Sequence, residues 1–143
     1  MEQKLHTTLI HYFEKYTCVS AVYLFGSQAR KDANTISDVD IAVLFADNTP
    51  EKFDLRLQFA EEIRAILNKE VDICDIEHVE LLFAYRILSE GKLLYSSNED
   101  KRIIFEVNLM KNYFDLKPFF DEYYANIAKL AKGGRINARP FTN

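Results

Sequence analysis

Ala21-Val22-Tyr23-Leu24-Phe25-Gly26-Ser27-Gln28-Ala29-Arg30-Lys31, and then Ser37-Asp38-Val39-Asp40-Ile41-Ala42-Val43-Leu44-Phe45, decide how this chain reads. An apolar run stops at a glycine-serine pair, and ten residues later a second apolar run opens with two aspartates in alternation. Side chains two apart on a strand point to one side of the sheet, so Asp38 and Asp40 should converge on one small volume. Paired carboxylates of this kind make a divalent-cation site. Mg2+ takes oxygen ligands, usually one or two carboxylates plus substrate phosphates. Gly26 has no Cβ and lets a phosphate approach the backbone, and Ser27 adds a hydroxyl and an amide N–H where a short helix is expected to start.

The pattern G-S-x10-D-x-D resembles the signature of the polymerase-β-type nucleotidyltransferases. Leu24 to Arg30 together with Ser37 to Leu44 is most similar to the minimal nucleotidyltransferase proteins. The likeness is close over residues 21–45 and weaker as far as residue 97; Lys31 departs from it, standing where the family often has glycine. It implies an α/β (α+β) fold of the polymerase-β-like type, a small mixed sheet flanked by helices, with a third carboxylate on a later strand. The β-prone run Glu70-Val71-Asp72-Ile73-Cys74-Asp75-Ile76 supplies that carboxylate, and Asp72 matches the family's V-D-I pattern. Asp75 is its rival. Period two places Asp72 with Cys74 and Ile76, and Asp75 with Val71 and Ile73, so only one of the two acids can join the metal face. Asp72 is preferred, and Asp75 is read as a surface acid at the strand end.

By the same resemblance Asp38, Asp40 and Asp72 hold two Mg2+ ions beside ATP, Gly26 and Ser27 hold the β and γ phosphates, and Asp72 serves as general base. Arg30 and Lys31 either balance triphosphate charge or cap the short helix, and by the resemblance Arg30 is a candidate for a nucleotide contact. Minimal nucleotidyltransferases commonly accompany HEPN-domain ribonuclease toxins. The implied role is the antitoxin of a type VII-like pair: a protein adenylyltransferase that moves AMP from ATP to a toxin tyrosine, releases pyrophosphate and forms a hetero-oligomer with its target. HEPN toxins share an Arg-x4-6-His motif, and no arginine here precedes a histidine at that spacing. Two alternatives stay open, a small-molecule, antibiotic-type nucleotidyltransferase and an antitoxin that acts by binding alone.

Length and charge bound what else the chain can be. Its 143 residues suit one domain, with no room for a separate acceptor-binding domain. A net charge of −4 argues against a dedicated nucleic-acid binder, which needs a basic face. Cys18 and Cys74 lie in apolar surroundings without metal-ligand spacing and read as reduced core thiols; no stretch reaches membrane-spanning length, and a cytoplasmic protein is expected. His6, His11 and His78 have no shared spacing and are assigned no chemistry.

Apolar periodicity predicts a helix over Glu2–Tyr16, strands over Ala21–Phe25 and Asp40–Phe45, and a helix over Glu51–Asn68 after the turn at Pro50. A strand around Asp72, a helix over His78–Glu90 capped by Gly91, and a short edge strand over Lys92–Tyr95 follow. Glu61, Glu62 and Arg64 read as a solvated helix face. The organisation is a nucleotidyltransferase core over 1–97, a helical segment over 98–132 and a flexible tail over 133–143. The helical segment is rich in aromatics, which either pack over the sheet or form a surface for a partner, and Pro118 should kink or divide it.

Overall fold

A computed structural model describes residues 2–26 and 38–133. Helix α1 (Glu2–Phe13) leads into β1 (Val19–Phe25), which is followed by β2 (Val39–Phe45), α2 (Lys52–Leu67) and β3 (Val71–Asp75). Helix α3 (Leu81–Glu90), β4 (Lys92–Ser96) and α4 (Glu99–Lys132) complete the order. The strands form one mixed sheet in the order β3-β2-β1-β4. β1 is antiparallel to β2 and β4, while β2 runs parallel to β3 across the α2 crossover. The expected short helix after Ser27 lies outside the described residues.

Apart from Ser20 and Asp40, the two central strands are apolar, because both of their faces are covered. On one face α1 and α2 close over Val22, Leu24, Ile41, Val43 and Phe45. Phe59 of α2 is the centre of that layer, meeting Phe13 edge-on at 5.5 Å between centroids and stacking on Phe45 at 6.3 Å. On the other face Ile87, Ala84 and Leu109 from α3 and α4 lie against Ala21, Tyr23, Ala42 and Leu44. The alanines on both sides leave room for the helices to sit close.

Two tyrosines fasten helices across these layers. Tyr12 of α1 donates its hydroxyl to Glu62 of α2 at 2.5 Å, with Tyr16 adding a second bond at 3.2 Å. Glu62 is therefore a tether between helices as well as part of a wet face. Tyr23, buried in β1, donates to Glu106 of α4 at 2.6 Å, and Arg102 holds the same carboxylate at 2.9 Å. Burial and the neighbouring carboxylate push both Tyr12 and Tyr23 well above the usual phenol range, so each remains a hydrogen-bond donor throughout the neutral range.

Several boundaries differ from the periodicity. α1 stops at Phe13, and α3 begins at Leu81 because residues 75–80 turn around the Asp75 side chain and backbone. Pro118 does not divide α4, which continues through it; Asn98 caps the start, accepting from the Lys101 N–H at 3.1 Å. Cys18 and Cys74 are free thiols but only half-buried, at the margins of the two apolar layers. No helix among the described residues is long and apolar enough to cross a membrane.

Gly91 ends α3 as expected, with its N–H bonded to Ile87 O at 2.8 Å, yet a left-handed turn is not what demands a glycine. A Cβ at this position would stand 2.5 Å from Ile87 O and 2.8 Å from Leu24 O. Gly91→Ala should therefore force α3 away from β1 and cost on the order of 1–3 kcal/mol. Urea unfolding monitored by far-UV circular dichroism should show the midpoint falling with an unchanged slope.

Candidate active site

The site is built at the end of the sheet where β2 begins. The Val39 N–H donates to Glu70 O at 2.9 Å, which ties the start of β2 to the start of β3 and sets their register. In that register Asp40 stands directly beside Asp72 on the parallel neighbour, and beside Phe25 on the antiparallel one. Adjacent strands are about 4.8 Å apart, so two carboxylates are held side by side on one face. Asp38 lies two residues before Asp40, immediately outside the strand, and is exposed like Asp72, while Asp40 is half-buried.

This face is the one that α3 and α4 cover further along. Ala42 and Leu44 continue from Asp40 into that apolar layer, and Cys74 continues from Asp72. Phe25, level with Asp40, meets Phe83 of α3 edge-on at 5.7 Å and walls the site on the β1 side. Asp75 has the opposite parity. It is buried, accepts from the Glu77 N–H at 3.1 Å and pairs with His78 Nδ1 at 2.8 Å, so the reading of it as a surface acid is wrong. A carboxylate at that strand end can satisfy the turn that follows it, and sequence alternation alone cannot distinguish this from solvent exposure.

Gly26 has a role that the sequence does not disclose. Its φ is +71°, and a Cβ built on it would run into the Asp40 carboxylate. The missing side chain is thus the space in which Asp40 sits. Ser27 and Arg30 lie outside the described residues.

Asp38, Asp40 and Asp72 form an all-oxygen donor set, the kind that suits a hard cation such as Mg2+, and the hollow at Gly26 leaves Asp40 room to serve it. Among the described residues, however, no group of three acidic, histidine or cysteine side chains is drawn together closely enough to hold a metal ion.

Comparison with known proteins agrees with this fold. Residues 7–100 match the family described as Polymerase beta, Nucleotidyltransferase. The chain is 29% identical to protein adenylyltransferase MntA of Shewanella oneidensis, over 79% of this chain and 82% of that one. It is 28% identical to protein adenylyltransferase MntA of Aphanizomenon flos-aquae, over 72% and 74%. In fold it is similar to a crystal structure of a toxin-antitoxin with AMP-PNP, with a TM-score of 0.71 at 23% identity, covering 86% of this chain and 98% of that one. It is likewise similar to a structure of tri-AMPylated Shewanella oneidensis HEPN toxin in complex with MNT antitoxin, with a TM-score of 0.69 at 22% identity and coverages of 90% and 99%.

The electrostatics of the site are open to a direct check at Cys74. Burial pushes its thiol up to about 11, the charges of Asp75 and Asp40 push the same way, and Arg56 opposes them. Alkylation of Cys74 in the folded protein should therefore lag far behind that of a free thiol at pH 8 and approach it only near pH 11, measured by peptide mass spectrometry.

Proposed function

This chain belongs to the polymerase β nucleotidyltransferase family, and we propose that it is an antitoxin acting as a protein adenylyltransferase, which transfers AMP from ATP to a tyrosine of a HEPN ribonuclease toxin and so neutralises it. The observation that carries the chemistry is the register-locked pair Asp40 and Asp72, with Gly26 making room for the first. The names of its relatives, protein adenylyltransferases at 28–29% identity over most of both chains, support a protein acceptor. In this reading residues 1–97 are the catalytic core, 98–132 a helical addition and 133–143 a tail, and the complex with the toxin is cytoplasmic.

Asp38, Asp40 and Asp72 would hold two Mg2+ ions. Bound there, they supply Lewis-acid neutralisation of the α-phosphate and of the departing pyrophosphate. The chain's own groups do the rest. The backbone at Gly26 and Ser27 seats the β and γ phosphates, and Arg30 adds a cation to them. The tyrosine oxygen attacks the α-phosphorus in line, the bond from that phosphorus to the β-phosphate's bridging oxygen breaks, and pyrophosphate leaves. Asp72, beside the acceptor, takes the tyrosine proton. Positioning and fixed charge carry most of the rate, because the acceptor and nucleotide arrive already oriented.

Intact-mass measurement of the cognate HEPN protein after incubation with this chain, ATP and Mg2+ should show one or more added AMP units. Asp38→Asn/Asp40→Asn and Asp72→Asn should abolish the shift, whereas Asp75→Asn, on the other face and able to keep its turn bonds, should retain most of it. A folded double variant that still adds AMP would overturn the site; one that adds none yet neutralises at equal stoichiometry would show an antitoxin that acts by binding alone.

Gly26→Ala gives an independent reading. A methyl group at a left-handed φ costs about 1–2 kcal/mol and also displaces Asp40. Calorimetric titration should therefore show Mg2+-dependent ATP affinity falling at least about tenfold while circular dichroism still reports a folded chain.

A further inference from the structure

The flanks of α3 face three ways. Ala84 and Ile87 lie on the sheet, and Tyr85 meets α4, stacked on Tyr113 with centroids 3.6 Å apart. Phe83 comes two residues before Tyr85, and two residues of α-helix turn through about 200°, so its side chain stands on the flank turned away from α4. α4 begins over the far end of the sheet, where Lys101 in its first turn pairs with Asp47, just past the end of β2. The flank that carries Phe83 is therefore turned toward the end at which β2 begins, where the acids are.

The ring of Phe83 is only partly covered. It is 40% exposed, and Phe25 meets it almost at right angles, with centroids 5.7 Å apart. Phe25 is level with Asp40 across the β1–β2 pair, immediately precedes Gly26, and is backed at its Cβ by Gly91. From Asp40 to Phe83 is thus one strand spacing, about 4.8 Å, and one ring contact. A ribose, which separates the base of a nucleotide from its α-phosphate, spans a gap of that kind.

We propose that Phe83, braced by Phe25, seats the nucleobase of ATP, an inference that rests on the transferase reading and supplies a contact it lacks. The carboxylates and the Gly26 turn serve cations and phosphates, and neither recognises a base. An apolar ring bare to the cleft does so by stacking, which holds any base because each has a π-face. With the base on Phe83 and the triphosphate at Gly26, the α-phosphorus is steadied from both sides for in-line attack. Stacking area is then the selecting property: purine triphosphates bind better than pyrimidine ones, and adenine and guanine are told apart little.

Calorimetric titration with Mg2+ compares ATP with inorganic tripolyphosphate, which offers the same phosphate and cation contacts without a base. The wild-type chain should bind ATP the more tightly. Phe83→Leu should weaken ATP about tenfold and leave tripolyphosphate unchanged, while Phe83→Trp should keep the advantage of ATP. Circular dichroism should report all three chains folded. The platform is overturned if Phe83→Leu binds ATP like the wild type, if it weakens both ligands equally, or if it alters only binding of the toxin, which would give the ring to the protein partner. A wild-type chain that binds neither ligand would instead bring down the transferase reading, and the platform with it.

Discussion

The parallel pairing of β2 with β3 is the constraint on which the site depends. One backbone hydrogen bond, from Val39 to Glu70, starts that pairing, and a slip of one residue would turn Asp72 to the opposite face while bringing Val71 or Ile73 level with Asp40. The register is protected because the same strands bury Val39, Ile41 and Val43 against α1 and α2, so slipping would expose an entire apolar layer. The energy that holds two carboxylates together against their repulsion comes from that layer, on the far side of the sheet.

This division of labour explains the asymmetry of the two faces. The face under α1 and α2 is closed, with aromatic rings meeting edge-on around Phe59 and a tyrosine-glutamate tether at its rim. The face under α3 and α4 is closed only along part of its length, and the acids occupy the remainder. Gly26 belongs to this second face in effect, since its absent side chain is the volume Asp40 uses. Cys74 is the boundary marker between the apolar part and the acidic part, and its raised thiol registers both burial and charge.

Much of this was legible in the sequence because alternation and helical spacing are direct consequences of burial. The four described strands and four described helices, the pairing of Asp40 and Asp72 on one face, and the opposite parity of Asp75 all follow from periodicity and a short motif. What could not be read depends on distance rather than on pattern. Glu62 looks like a solvent-facing acid until Tyr12, fifty residues away, is brought to it. Asp75 looks the same until the following turn folds back on its side chain. Gly91 looks like a helix cap and is one, but only the approach of the Leu24 carbonyl shows why no larger residue fits. Pro118 argues for a break in α4, yet a proline removes one backbone bond and the long helix on either side outweighs that loss.

The anchorage of α4 has a mechanical side. The helix is fixed to β1 near its beginning, where Tyr23 and Arg102 share the Glu106 carboxylate, and Tyr23 is three residues from Gly26. From that anchor to Leu130 is about 36 Å of helix, a stiff arm, so a tilt of about 5° at the base moves the tip by about 3 Å. Leu109 in the apolar layer and the stack of Tyr113 on Tyr85 reinforce that joint, so the base of the arm is held to β1 and α3 together. The stiffness of this base, shared by β1, α3 and α4, thus sets how far the tip sways from the acidic end of the sheet.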